Sequence, residues 1–81
     1  MDGSSLDVFV ITLLEEATQS LPGTIGEDAD LRTLDGWDSM GMVMFMGLLD
    51  ERAGAELTVH ELRSCETPRE LARKIAEKRG A

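Results

Sequence analysis

The stretch Asp38-Ser39-Met40-Gly41-Met42-Val43-Met44-Phe45-Met46-Gly47-Leu48-Leu49-Asp50-Glu51-Arg52-Ala53-Gly54 decides the fold. A continuous apolar run reads as a buried strand as easily as a helix. Gly41 and Gly47 each weaken a helix by about 1 kcal/mol relative to Ala. Four features favour the helix. Asp38 is a good N-cap, Met and Leu are strong helix formers, Gly54 stands where a C-terminal stop belongs, and the segment is too long for a typical strand. Wound as a helix, it has two apolar sides. Met42, Phe45, Met46, Leu49 and Ala53 share one; Met40, Val43, Met44 and Gly47 share the other, with Glu51 a turn later. A bundle of this size buries only one of them. The first side is broader and carries the aromatic ring, so it is assigned to the core. The second is expected to be exposed, and exposed apolar patches mark partner sites.

Upstream, Leu6, Phe9, Val10, Leu13, Leu14 and Ala17 recur at helical spacing and predict an amphipathic helix. Ser4 or Ser5 is expected to cap it, with Asp7 in its first turn and Pro22-Gly23 ending it. Residues 20–38 have no clear period. A loop of that length in so small a chain is usually functional or tied down, and Ile25, Leu31 and Leu34 are its expected anchors. Downstream, Leu57 to Cys65 reads as a short helix carrying Val59 and Leu62. Thr67-Pro68-Arg69-Glu70 opens a last helix with a capping threonine, a proline at the first helical position and a glutamate three after the cap. Leu71, Ala72, Ile75 and Ala76 form its expected inner face. The predicted fold is all-α: one domain over residues 1–81, with three main helices, one short helix and a long loop between the first two.

Eighty-one residues bury only a thin core. Sixteen acids against eight bases give a net charge of −8. That argues against nucleic acid and against anionic membrane surfaces, both of which need basic patches. The charge is uneven. Residues 1–62 hold thirteen acids and only Arg32 and Arg52 as bases, whereas residues 63–81 are net basic. Charge steering therefore favours basic partners for the first three quarters of the chain. The lone Cys65 can form no internal disulfide, which fits a reducing cytoplasm. Asp2 and the lack of a basic leading segment give no sign of a signal peptide. The apolar stretch from Met40 to Leu49 is too short to span a bilayer.

Little in the chain points to catalysis of its own. One His and one Cys give no metal-ligand spacing. Asp28, Asp30 and Asp35 lack the calcium-loop pattern with its central glycine and final glutamate. Cys65 reads as a small apolar filler. Ser39 and His60 both exist, but nothing places the imidazole as a base for the hydroxyl. No glycine-rich phosphate loop is present. What stands out is Asp35-Gly36-Trp37-Asp38-Ser39-Met40, where a long loop meets the most apolar helix. A serine there lies beside free backbone N–H groups and the positive end of a helix dipole, a favourable place for a phosphate ester. Simple helix capping by Asp38 and Ser39 is the alternative.

Gly36-Trp37-Asp38-Ser39-Met40 resembles the signature of the acyl and peptidyl carrier family: glycine, a variable residue, Asp-Ser, then Leu or Met, opening the second helix. Leu31 and Leu34 upstream, and Leu57, Thr58, Glu61, Leu62, Thr67-Pro68 and Leu71 downstream, are similar to the family's loop and later helices. The resemblance covers nearly the whole chain. It implies that Ser39 receives a covalent 4′-phosphopantetheine arm from coenzyme A through a separate phosphopantetheinyl transferase. It also implies that Asp38 holds the helix start and orients the modification site. Further partners would be an acyl- or aminoacyl-loading enzyme and a downstream synthase or transferase, meeting a monomeric cytoplasmic carrier. Fatty-acid carriers place acids along the exposed face of the second helix. Here those positions read Gly41, Met44 and Gly47, and the first charge after Ser39 is Asp50. Docking is therefore expected to rest on apolar contact through Trp37, Met40, Val43 and Met44, with methionine suited by its flexibility. The tryptophan could pack beside the arm or anchor the loop. Trp-Asp-Ser-Met-Gly points towards free-standing carriers of polyketide, peptide and related pathways and to D-alanyl carriers. The rival from another class is an unmodified helical adaptor using the Met40, Val43 and Met44 face.

Overall fold

The structure, a computed structural model, describes residues 3–80, with side chains over residues 6–78. Four α-helices run in order: α1 (Gly3–Thr18), α2 (Ser39–Ala53), α3 (Val59–Ser64) and α4 (Pro68–Gly80). A single 3-10 turn, Leu31–Thr33, interrupts the long loop, and no strand occurs among the described residues. Helix α1 packs against both α2 and α4, while the short α3 leans on α2.

The periodic residues of α1 form the core as expected. Val10, Leu13, Leu14 and Ala17 are buried, and Leu6 and Phe9 are half-buried against them. Its ends differ from the sequence reading. The helix already begins at Gly3, so Ser4 and Ser5 lie inside the helix rather than ahead of it, and Asp7 falls past the first turn. Nothing in Gly3-Ser4-Ser5 stops a nucleated helix from extending by a turn. At the other end, Gln19 adopts a left-handed φ of 60°. Its amide donates to the Glu16 carbonyl at 3.3 Å and the Ser20 amide donates to Glu15 at 2.8 Å. This reversed pair of bonds, not Pro22, closes the helix.

The loop is tied down rather than free. Glu15 faces inward from α1 and is only 8% exposed. Its carboxylate accepts the backbone N–H of Gly23 at 2.8 Å and of Ile25 at 3.3 Å. Ile25 and Leu31 are buried, and Leu34 packs half-buried on the core, as expected of the anchors. The loop also crosses to the start of α4. The Leu31 amide donates to the Glu66 carbonyl at 2.8 Å, and the Arg69 amide to Glu27 at 3.1 Å. The Arg69 guanidinium spans the carboxylates of Glu27 and Asp28.

Helix α3 starts on a capping box: Thr58 Oγ1 accepts from the Glu61 amide and the Glu61 carboxylate accepts from the Thr58 amide. At α4, Thr67 caps the Glu70 amide at 3.2 Å, and the Glu70 carboxylate reaches the Glu66 amide, one residue further back than a box requires. Leu71, Ala72 and Ile75 are buried; Ala76, expected with them, is exposed. It sits at the edge of the stripe, where α4 runs past the end of the core. Ala53 is likewise only half-buried in the last turn of α2.

Removing the Glu15 carboxylate leaves two loop amides without their acceptor. Glu15→Ala is expected to cost about 1–3 kcal/mol, read as a lower urea midpoint at unchanged slope. The ion pairs predict a pH dependence. Arg69 holds the Asp28 carboxyl below its usual range, first by hydrogen bonding and then by charge. A carboxyl with a lower pKa folded than unfolded stabilises the fold above its unfolded value, and loses that contribution as pH falls through the folded value. The stability difference between wild type and Arg69→Gln is therefore expected to be full above about pH 5 and to close on further acidification. Urea titrations at each pH check this, and a difference constant down to the acid limit of the fold would contradict it.

Candidate functional site at the start of helix α2

Asp38 sets the geometry at the mouth of α2. Its extended backbone, with φ −118° and ψ −168°, breaks the incoming chain into the helix. Oδ1 accepts the Gly41 amide at 2.9 Å, and the Asp38 carbonyl accepts the Met42 amide at 2.8 Å. The amides of Ser39 and Met40 have no partner among the described residues. Ser39 is the first helical residue, and it is exposed. Its hydroxyl thus lies beside two free N–H donors at the positive end of a fifteen-residue helix.

Behind the serine the chain is held tightly. Gly36 has a φ of +89°, a left-handed conformation that a side chain would strain. A Cβ there would also stand 2.9 Å from the carbonyl oxygen of Thr18, at the end of α1. The Trp37 amide donates to the Leu34 carbonyl at 3.1 Å. The indole is only 9% exposed and meets the Phe45 ring edge-on, with centroids 5.5 Å apart and planes at 90°. The expectation that Trp37 lies on the partner face is therefore corrected. A large apolar ring two residues ahead of α2 gains more from the core than from solvent, and here it anchors the loop to the buried side of that helix.

The two faces of α2 divide as read from the sequence. Met42, Phe45 and Leu49 are buried and Met46 is half-buried. Met40, Val43 and Met44 are 75%, 59% and 43% exposed. Adjoining Val43 lies a feature the sequence reading missed. A groove of about 740 Å³ runs between α2 and α3, floored by Val43, Met46, Leu57 and Val59 and rimmed by Asp50, Glu56 and the Glu61–Lys78 ion pair. Gly47 opens it, with no atom within 4 Å of where its side chain would stand. A helix-interior glycine that no neighbour requires was the available signal. His60 lies exposed on α3 and shares no hydrogen bond with Ser39 among the described residues.

A family model described as the phosphopantetheine attachment site matches residues 8–75. The chain belongs to this family. Searches of curated proteins and of solved structures found no match. Family membership makes the chain a carrier of a covalently attached 4′-phosphopantetheine arm. The mouth of α2 fits such a group: an accessible hydroxyl, two unengaged amides and a helix dipole all favour a phosphate ester. Among the described residues, no helix is long and apolar enough to cross a membrane.

Proposed function

We propose that this chain acts as a cytoplasmic carrier whose arm is attached at Ser39. The exposed serine at a helix start with free amides carries this reading. In the transfer, Ser39 Oγ forms a bond to the phosphorus that coenzyme A presents. The bond from that phosphorus to the adenosine bisphosphate breaks, and the hydroxyl proton passes to the transferase. Asp38 keeps the turn rigid while this occurs, since its carboxylate is committed to the Gly41 amide. The bound arm supplies a terminal thiol that holds an acyl or aminoacyl group as a thioester. The chain contributes presentation, and chemistry belongs to the enzymes that visit it.

Those visitors are a phosphopantetheinyl transferase, a loading enzyme and a downstream synthase or transferase. Met40, Val43 and Met44 offer them an apolar surface within two turns of Ser39. Apolar docking through flexible thioethers suits several partners in turn. Tethering then gives each docked enzyme a high effective concentration of the cargo. The lack of acids before Asp50 on this face supports a specialised pathway, polyketide, peptide or related, over fatty-acid synthesis.

Incubating the apo chain with coenzyme A and a broad-range transferase is expected to add one phosphopantetheine to the intact mass, and Ser39→Ala is expected to add none. No gain in the wild type would leave the adaptor reading, in which the same methionine face binds a partner without modification. Met44→Glu is expected to raise the transferase KM about tenfold, a loss of about 1.4 kcal/mol in docking, with the circular dichroism spectrum unchanged. Loss of helicity in that variant would place Met44 in the core.

A further inference from the structure

Two glycines interrupt α2, and they are there for different reasons. Gly47 meets nothing. Gly41 is buried, and a Cβ on it would overlap the carbonyl oxygen of Gly36 and lie 3.6 Å from Asp38 Oδ1. Gly41 is not among the residues of positive φ, so its backbone would accept a side chain. What it lacks is room.

The Gly36 carbonyl cannot simply withdraw. Gly36 also abuts the end of α1, where the Thr18 oxygen, Cβ and Cα would stand 2.9, 3.0 and 3.2 Å from an added Cβ. The Gly36 backbone is therefore wedged between the last turn of α1 and the first turn of α2. The two residues that follow Gly36 are constrained in turn. Trp37 is fixed by Phe45, and Asp38 by its bond to the Gly41 amide. Ser39 and Met40, the last two residues of this short arc, face solvent without a side-chain hydrogen bond among the described residues, and Ser39 is the one that carries a hydroxyl.

We infer that Gly41 is a positioning residue for the modification of Ser39: the space left by its absent side chain seats the Gly36 carbonyl, and that seating fixes where the arc delivers the serine hydroxyl. The inference rests on Ser39 being the attachment point. A methyl group at residue 41 pushes the backbone of residues 36–38 away from α2 and turns the Asp38–Ser39 peptide, while Met40, Val43 and Met44 stay on the helix surface. Orientation at the serine is lost and docking is kept. Displacement of a reacting group by about 1 Å costs on the order of 100-fold in rate.

The test compares wild type, Gly41→Ala, Gly26→Ala and Ser39→Ala as apo chains with coenzyme A and a broad-range phosphopantetheinyl transferase. Gly26 has an ordinary φ and no atom within 4 Å of its Cβ position, so its variant controls for loss of a glycine. Gly41→Ala is expected to lower kcat by about 10- to 100-fold with KM within twofold of wild type, and Gly26→Ala to leave both unchanged. In the apo chain, the amide resonances of Asp38, Ser39 and Met40 are expected to shift in Gly41→Ala while those of α3 and α4 stay in place. A folded Gly41→Ala with wild-type kcat overturns the inference and leaves the Ser39 reading standing. Loss of the helical signal at 10 °C also overturns it, because Gly41 would then hold the fold rather than the serine. A wild-type chain that gains no mass, or an Ser39→Ala chain that does, removes the Ser39 reading and this inference with it.

Discussion

Helix α2 is apolar on two sides, and a bundle of this size covers one. The Phe45 side wins because it presents an aromatic ring and a broader set of methyl and thioether groups to α1, and because Trp37 folds in from the loop to meet that ring edge-on. Once that side is buried, the rotation of α2 about its own axis is fixed. Ser39 then has to face solvent at the helix mouth, and Met40, Val43 and Met44 have to line the surface beside it. Presentation of the serine and of its apolar surroundings thus follows from one packing choice.

The loop that delivers the serine depends on contacts distant in sequence. Glu15 holds Gly23 and Ile25, Glu66 and Arg69 hold the middle of the loop, and the Thr18 backbone holds Gly36. These reach the loop from α1 on one side and from the start of α4 on the other. The mouth of α2 is therefore supported by the whole bundle, although the residues that define it span only a few positions. Local capping would leave a serine at a frayed helix end. Here the incoming chain is held on both faces.

The helices and their buried sides were legible because periodicity and caps are local signals. The stripe on α1, the two sides of α2 and the Thr67-Pro68 start of α4 all read correctly from spacing. Asp38-Ser39 stood out in the sequence as well, since caps and family signature coincide there. What was not legible depends on partners brought together by folding. Glu15 reads as one more acid on an acidic helix, and only the returning loop makes it a buried acceptor. Gln19 carries no mark of its left-handed turn. Trp37 could be read two ways until the Phe45 ring was in place. Gly41 looked like a helix defect for want of the Gly36 carbonyl that fills its gap.

Cys65 is buried beneath the bundle surface, and burial pushes its thiol pKa up. With an arm in place, the chain therefore bears two sulfhydryls of opposite character, one on an outer tether and one only 5% exposed within the fold. Burial and the raised thiol pKa both work against an inner thiolate that could take a thioester from the outer sulfur. The scaffold is thereby a poor competitor for whatever cargo the arm bears.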